Sequence, residues 1–148
     1  MMRHREHRGD PVQVGSYEVL AGGLMHFSHG EDLPAADLVV LLTEGTYGVE
    51  KWYRERGTKV IHYPVVDYAV PQEESWIELL QEIIQELRGG SRVQIFCGGG
   101  HGRTGMVLSS LVALLEPEVE DPVQTVRERY CPQAVETAEQ AAFVRSLR

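Results

Sequence analysis

Cys97 is followed by Gly-Gly-Gly-His-Gly, then Arg103-Thr104-Gly105, and an apolar run over 106–115 begins directly behind. Glycine loses more freedom on ordering than any other residue, so five of them within 98–105 mark backbone that turns sharply or lies close against something. A loop running into a helix presents unpaired N–H groups, to which the helix dipole adds positive potential. Together these make an anion site, and glycines at 98, 99, 100, 102 and 105 let the amides converge into a concave nest. Arg103 adds a planar fork suited to two oxygens of a phosphate. The same field favours the thiolate of Cys97, its nucleophilic form. The resulting chemistry is covalent phosphoryl transfer, with phosphorus held facing a sulfur. Two blander readings compete: a cysteine at a strand end as a small buried hydrophobe, and a nucleotide-binding loop. The second lacks its fingerprint, because no G-x-x-x-x-G-K-[ST] occurs and G-x-G-x-x-G would need a later acidic partner.

The elements that must position this loop follow from apolar spacing. Residues 15–26 alternate weakly and carry Gly22-Gly23, which suggests a short hairpin. Short continuous apolar runs predict buried strands over 37–42, 59–65 and 92–96. A helix is expected over 49–56, stopped by Gly57, and another over 72–87, where Trp76, Leu80, Ile83, Ile84 and Leu87 keep helical spacing. Residues 103–115 are apolar around most of a helix and should be central. Two further helices are expected over about 121–129 and 137–147, with Asp121 as a cap. Strands separated by helices give an α/β fold: a single domain over 1–148 with a mostly parallel four- or five-stranded sheet flanked by helices. Residues 1–11 are expected to be a flexible tail. In such folds ligands collect at the carboxyl ends of strands, where this loop falls.

CGGGHGRTG resembles the signature loop of the cysteine-dependent protein-tyrosine and dual-specificity phosphatases, C-x5-R-[ST]-G. ADLVVLLTEG resembles that family's early strand, HYPVVDYAVP its general-acid segment, and VRERYCPQAVETAEQAAFV the C-terminal stretch of its compact members. The resemblance implies a phosphatase-like fold and hydrolysis of phosphotyrosine, with phosphoserine and phosphothreonine as further substrates. It implies that Cys97 forms a phosphocysteine and that Gly98, Gly99, Gly100, His101, Gly102 and Arg103 bind the phosphate. Thr104 would hydrogen-bond the sulfur, and Asp67, 30 residues before Cys97, would be the general acid. For Asp67 a turn aspartate is the rival reading. Gln140 would either position the hydrolytic water or, with Thr137, complete a capping box. Arg127 and Arg129 fall near the pocket mouth or on a solvated face. The residue before the cysteine, usually histidine in the family, is Phe96.

The chain's 148 residues carry a net charge of −8, which disfavours nonspecific binding to nucleic acid and leaves anion recognition to a local site. No apolar run approaches the roughly 20 residues that span a bilayer. The basic start, MMRHREHRGDP, lacks the apolar segment of a secretory signal. Two cysteines, Cys97 and Cys131, make no disulfide framework and fit a reducing, cytoplasmic setting. His4 and His7 alone supply too few ligands for a structural metal site. The expectation is a metal- and cofactor-free enzyme, monomeric, acting on a phosphorylated protein or peptide, with no nucleic-acid or membrane partner. Two other classes stand beside it: a non-catalytic phosphate-binding module, and a thiol redox or sulfur-transfer protein. Cys131 as a redox partner of Cys97 is likewise open.

Overall fold

Leu38, Val40 and Leu42 bury into one hydrophobic layer, and Val39 and Leu41 into another. That alternation is the period of two of a strand covered on both faces. The computed structural model describes residues 6–27 and 33–148. Within them run strands β1 (Arg8–Val14), β2 (Tyr17–Gly23), β3 (Leu38–Leu41), β4 (Lys59–His62) and β5 (Val93–Cys97). The helices are α1 (Val49–Glu55), α2 (Glu73–Arg88), α3 (Gly102–Leu115), α4 (Pro122–Arg129) and α5 (Ala138–Arg145). The sheet order is β1-β2-β5-β3-β4; β1 pairs antiparallel with β2, and every other pairing is parallel. The expected mostly parallel α/β sheet is therefore observed.

The larger core joins Val12, Val19, Ile95 and Cys97 on the strands to α2, α3, α4 and α5. The smaller one packs Val39, Leu41, Val60 and Phe96 against Tyr53 of α1. Every residue of α3 from Gly102 to Ala113 is buried, as its apolar circumference required. Trp76 of α2 is fully buried and donates from Nε1 to Ser110 Oγ of α3 at 3.1 Å, so its ring nitrogen keeps a partner inside the core. Asp121 caps α4 as expected, accepting from the N–H groups of Val123 and Gln124.

Three expectations need correction. The N-terminal tail was to run through residue 11, but β1 begins at Arg8, because pairing with β2 satisfies its backbone; residues 1–5, including His4, lie outside those described. The hairpin turns at Gly15-Ser16, where Gly15 has φ +58°, and not around Gly22-Gly23. The strand expected over 59–65 ends at His62, although Tyr63 and Val65 still donate to the carbonyls of Leu41 and Leu42 beyond it.

Gly22-Gly23 instead ends β2 and lies backbone to backbone against the loop after β5. A Cβ on Gly23 would sit 2.5 Å from the carbonyl carbon of Gly99 and 2.8 Å from the Gly100 nitrogen. Gly100 itself has φ +80°, and a Cβ there would meet the Gly22 carbonyl carbon at 2.8 Å. Gly23→Ala should therefore cost about 1–3 kcal/mol in urea unfolding, the range for overpacking a tight site. It should also weaken phosphate binding, read by titration with inorganic phosphate.

Candidate active site

The strand order creates the cleft. β3 sends its chain onward to α1 on one face of the sheet, while β5 sends its chain into α3 on the other. The crevice between their carboxyl ends is the place where α/β sheets take ligands. It measures about 870 Å³ and is lined by residues following four strands, among them Phe27, Thr43, Tyr47, Asp67, Gly98 and Arg103. Leu24, Phe27, Val49 and Trp52 give it an apolar wall opposite the charged groups.

Cys97 closes β5, only 2% exposed, its side chain in the larger core layer and Phe96 in the smaller. Two donors reach its sulfur: the Gly100 N–H at 3.2 Å and Thr104 Oγ1 at 3.0 Å. The carbonyls of the glycine run are all engaged outside the loop. Gly98 accepts from the Met25 N–H at 3.0 Å, Gly99 contacts His26 Nε2 at 3.2 Å, and Gly100 accepts from the Tyr130 hydroxyl at 2.5 Å. In a trans peptide the N–H points opposite its carbonyl, so these bonds turn the amides of 99, 100 and 101 toward the interior of the loop. The N-terminal end of α3 follows at once, adding the positive end of its dipole.

Arg103 is held in place by a bond from Nη1 to the Val65 carbonyl at 2.9 Å, and its Nη2 lies over Gly98. Asp67 faces it, with Oδ1 3.7 Å from Nε; the arginine side chain is 9% exposed and the aspartate 49%. Asp67 also accepts from the Tyr68 N–H at 3.1 Å, so it occupies a turn and the site at once. Gln140 takes the capping alternative: its Oε1 accepts from the N–H groups of Glu136 and Thr137, and the Gln140 N–H returns to Thr137 Oγ1 at 3.0 Å. Its Nε2 donates to the Ala69 carbonyl at 3.1 Å, which ties α5 to the Asp67 segment. His101 has its Nδ1 3.4 Å from Cys131 Sγ, and both cysteines are free thiols.

The distal arginines do not reach the cleft. Arg127 donates to the carbonyls of Ala134 and Val135, and Arg129 pairs with Glu116 at 2.6 Å, holding that carboxyl below its usual range. The residue that the sequence did not single out is Glu136. Its carboxyl lies against Gly102 and accepts from that backbone N–H. Partial burial pushes its pKa up, the Asp67 carboxylate adds to the rise, and the Gly102 N–H and Arg103 oppose it. Its signal was the Glu-Thr pair just before Gln140. Three non-glycine residues have positive φ among those described, Tyr47, Tyr68 and Val135. Each borders the site: one lines the cleft, one follows Asp67 and one precedes Glu136. Strain of this kind costs of order 1–3 kcal/mol per residue and gathers where function over-determines the backbone.

A cysteine on a glycine loop at the head of a buried helix, with an arginine and a carboxylate converging on it, defines a cysteine-based phosphatase. Residues 32–148 match the family model described as PTP-SAK, Swiss Army Knife protein, DSP-PTPase phosphatase domain, and the chain belongs to this family. It is similar to the uncharacterized protein MJECL20 of Methanocaldococcus jannaschii, 39% identical over 104 residues that cover 64% of this chain and 69% of that protein. It is 27% identical over 103 residues to the putative tyrosine phosphatase 067L of Invertebrate iridescent virus 3, covering 66% of this chain and 43% of the viral protein, so it spans less than half of that relative. Among solved structures, the active form of Tk-PTP aligns at a TM-score of 0.68 and 34% identity, over 76% of this chain and 78% of the other. Kinase-associated phosphatase, with its catalytic-site cysteine replaced by serine, aligns at 0.72 and 18% identity over 94% and 95%, a likeness of fold. No helix among the described residues is long and apolar enough to cross a membrane.

The two readings of Gln140 separate experimentally. Gln140→Leu should lower stability in urea by about 0.5–2 kcal/mol, because the buried side chain no longer pairs the backbone groups of Glu136, Thr137 and Ala69. A side chain that acted only on a reacting water would leave the unfolding midpoint where it was.

Proposed function

We propose that the protein hydrolyses phosphotyrosine monoesters in proteins or peptides, with phosphoserine and phosphothreonine as secondary substrates, through a phosphocysteine intermediate and with no metal in the chemical step. The observation that carries this reading is the pair of donors on Cys97 Sγ, from Gly100 and Thr104, at the floor of a loop whose carbonyls are bound elsewhere. Donors to sulfur ease its departure as a leaving group. The apolar wall of Leu24, Phe27, Val49 and Trp52 suits the ring of an aryl phosphate, and the likeness to a putative tyrosine phosphatase supports the same substrate class.

In this mechanism the Cys97 thiolate attacks phosphorus and the ester oxygen leaves with a proton from Asp67. The inward amides of 99–101, the Gly102 amide and the Arg103 fork hold the three non-bridging oxygens as charge spreads over them. A phosphate oxygen displaces the Glu136 carboxyl from the Gly102 amide. Asp67, now ionised, takes a proton from water, which attacks the phosphocysteine. The S–P bond breaks, Thr104 donates to the departing sulfur, and inorganic phosphate is released. Gln140 holds the backbone on which Asp67 and Glu136 ride. A non-catalytic phosphate-binding module would need Arg103 and the amides but neither Thr104 on the sulfur nor Asp67 beside the arginine.

The deciding measurement is release of phosphate from an aryl phosphate in the presence of a chelator. Wild type should turn over, while Cys97→Ser should lose several orders of magnitude yet still bind inorganic phosphate. Retained hydrolysis by the serine variant would exclude the covalent route.

Asp67→Asn tests the acid separately. General acid catalysis contributes about 10²–10⁴-fold, and matters most when the leaving oxygen is a poor anion. The variant should therefore slow alkyl phosphate hydrolysis far more than nitrophenyl phosphate hydrolysis. Equal losses on both would return Asp67 to a turn residue alone.

A further inference from the structure

Behind the phosphate loop lies a second cluster of chemical side chains, none of which lines the cleft. His7, just before β1, is fully buried. Its Nδ1 is 2.7 Å from Asp10 Oδ2, so the carboxylate holds a proton on that nitrogen and leaves the Nε2 lone pair directed away from it. Among the described residues Nε2 has no hydrogen-bond partner. The ring stands 4.9 Å from that of His101, near perpendicular, and 4.2 Å from that of Tyr130. His101 Nδ1 in turn lies 3.4 Å from Cys131 Sγ, and the donor atoms of His7, His101 and Cys131 are all within 4.8 Å of one another.

A buried, unpartnered ring nitrogen is a costly thing for a core to keep unless something binds it. Two imidazole nitrogens and a thiol are zinc donors. Tetrahedral zinc with ordinary Zn–N and Zn–S lengths places its ligand atoms about 3.3–3.6 Å apart. His101 and Cys131 already have that spacing. With no pair of donor atoms more than 4.8 Å apart, His7 needs to close by up to about 1.5 Å to complete the same triangle. A carboxylate on the far nitrogen, as Asp10 provides, is the usual device for fixing the tautomer and orientation of a metal-bound histidine.

We propose that His7, His101 and Cys131 bind a zinc ion, with water as the fourth ligand. Cys131 binds as the thiolate, its proton passing to solvent. The ion joins three pieces of chain: the segment entering β1, the phosphate loop, and the residue just beyond α4. Its role is to brace the loop from behind, apart from the chemical step, so the site stands whether or not the phosphatase reading above holds.

The test is direct binding to the full chain after chelator treatment and dialysis. Zinc is titrated calorimetrically and cobalt by absorption, in wild type, Cys131→Ser, His7→Ala, Asp10→Asn and Cys97→Ser. The expected result is one ion per chain, with a sulfur-to-cobalt charge-transfer band. Affinity should fall at least about tenfold in Cys131→Ser and His7→Ala, and about 10–100-fold in Asp10→Asn, the usual loss for removing a supporting carboxylate. Cys97→Ser should bind as wild type does. Should His7→Ala not fold, Cys131→Ser and Asp10→Asn decide. Three outcomes overturn the proposal: no binding by wild type, binding abolished in Cys97→Ser, or binding unchanged by Cys131→Ser and Asp10→Asn. The second would move the ion to the cleft, and the third would put it elsewhere on the chain.

Discussion

The contact between two glycine pairs, Gly22-Gly23 at the end of β2 and Gly99-Gly100 after β5, is the constraint on which the rest of the site depends. At that contact main chain rests on main chain, with no room for a single added carbon. Close seating brings the Met25 N–H within reach of the Gly98 carbonyl, and the His26 ring within reach of Gly99. From the opposite side Tyr130, just after α4, takes the Gly100 carbonyl. Once those oxygens are held outward, peptide planarity leaves the amides nowhere to point but inward. The anion cradle is thus a consequence of where the carbonyls are bound, and those bonds come from elements distant in the chain.

The sheet topology supplies the other half. With β5 between β2 and β3, and α1 on the face opposite α3, a crevice opens at the carboxyl ends of β3 and β5. Asp67, beyond β4, and Arg103, in the first turn of α3, meet across it although 36 residues separate them in sequence. Gln140 reaches from α5 to the carbonyl of Ala69 and keeps the Asp67 segment from drifting. The positive φ of Tyr47, Tyr68 and Val135 shows where the backbone is bent to hold this arrangement.

Electrostatics here are local against a contrary background. The chain carries a net charge of −8, yet the cradle combines the Arg103 guanidinium, inward amides and a helix N-terminus. Arg103 is nearly buried, so its charge acts at short range in a medium that screens poorly. Glu136 lies in the same field, and the opposing effects on its carboxyl reflect the competition between burial beside Asp67 and the donors of the loop.

The sequence by itself determined the chemistry-bearing loop and the class of fold. Cys97, the glycines, Arg103 and Thr104 are local in the chain, and a loop between a buried strand and an apolar helix has few ways to be arranged. The helices over 49–56, 72–87 and 103–115 appear within a residue or two of their expected bounds, because periodicity and caps are also local signals. Only the tertiary structure decided what depends on partners remote in sequence. The pair Gly22-Gly23 looked like a turn, since glycine marks tight turns and close approaches alike, and only the neighbouring strand tells them apart. Residues 8–11 looked like a tail because their strand is supported by pairing with β2 and not by their own composition. Gln140 reads two ways along the chain, and its bond to Ala69 joins residues that no local pattern links. Glu136 against Gly102, and His7 beside His101 and Cys131, depend on remote partners in the same way: the Glu-Thr pair hints at the first, but each contact arises from atoms that only packing brings together.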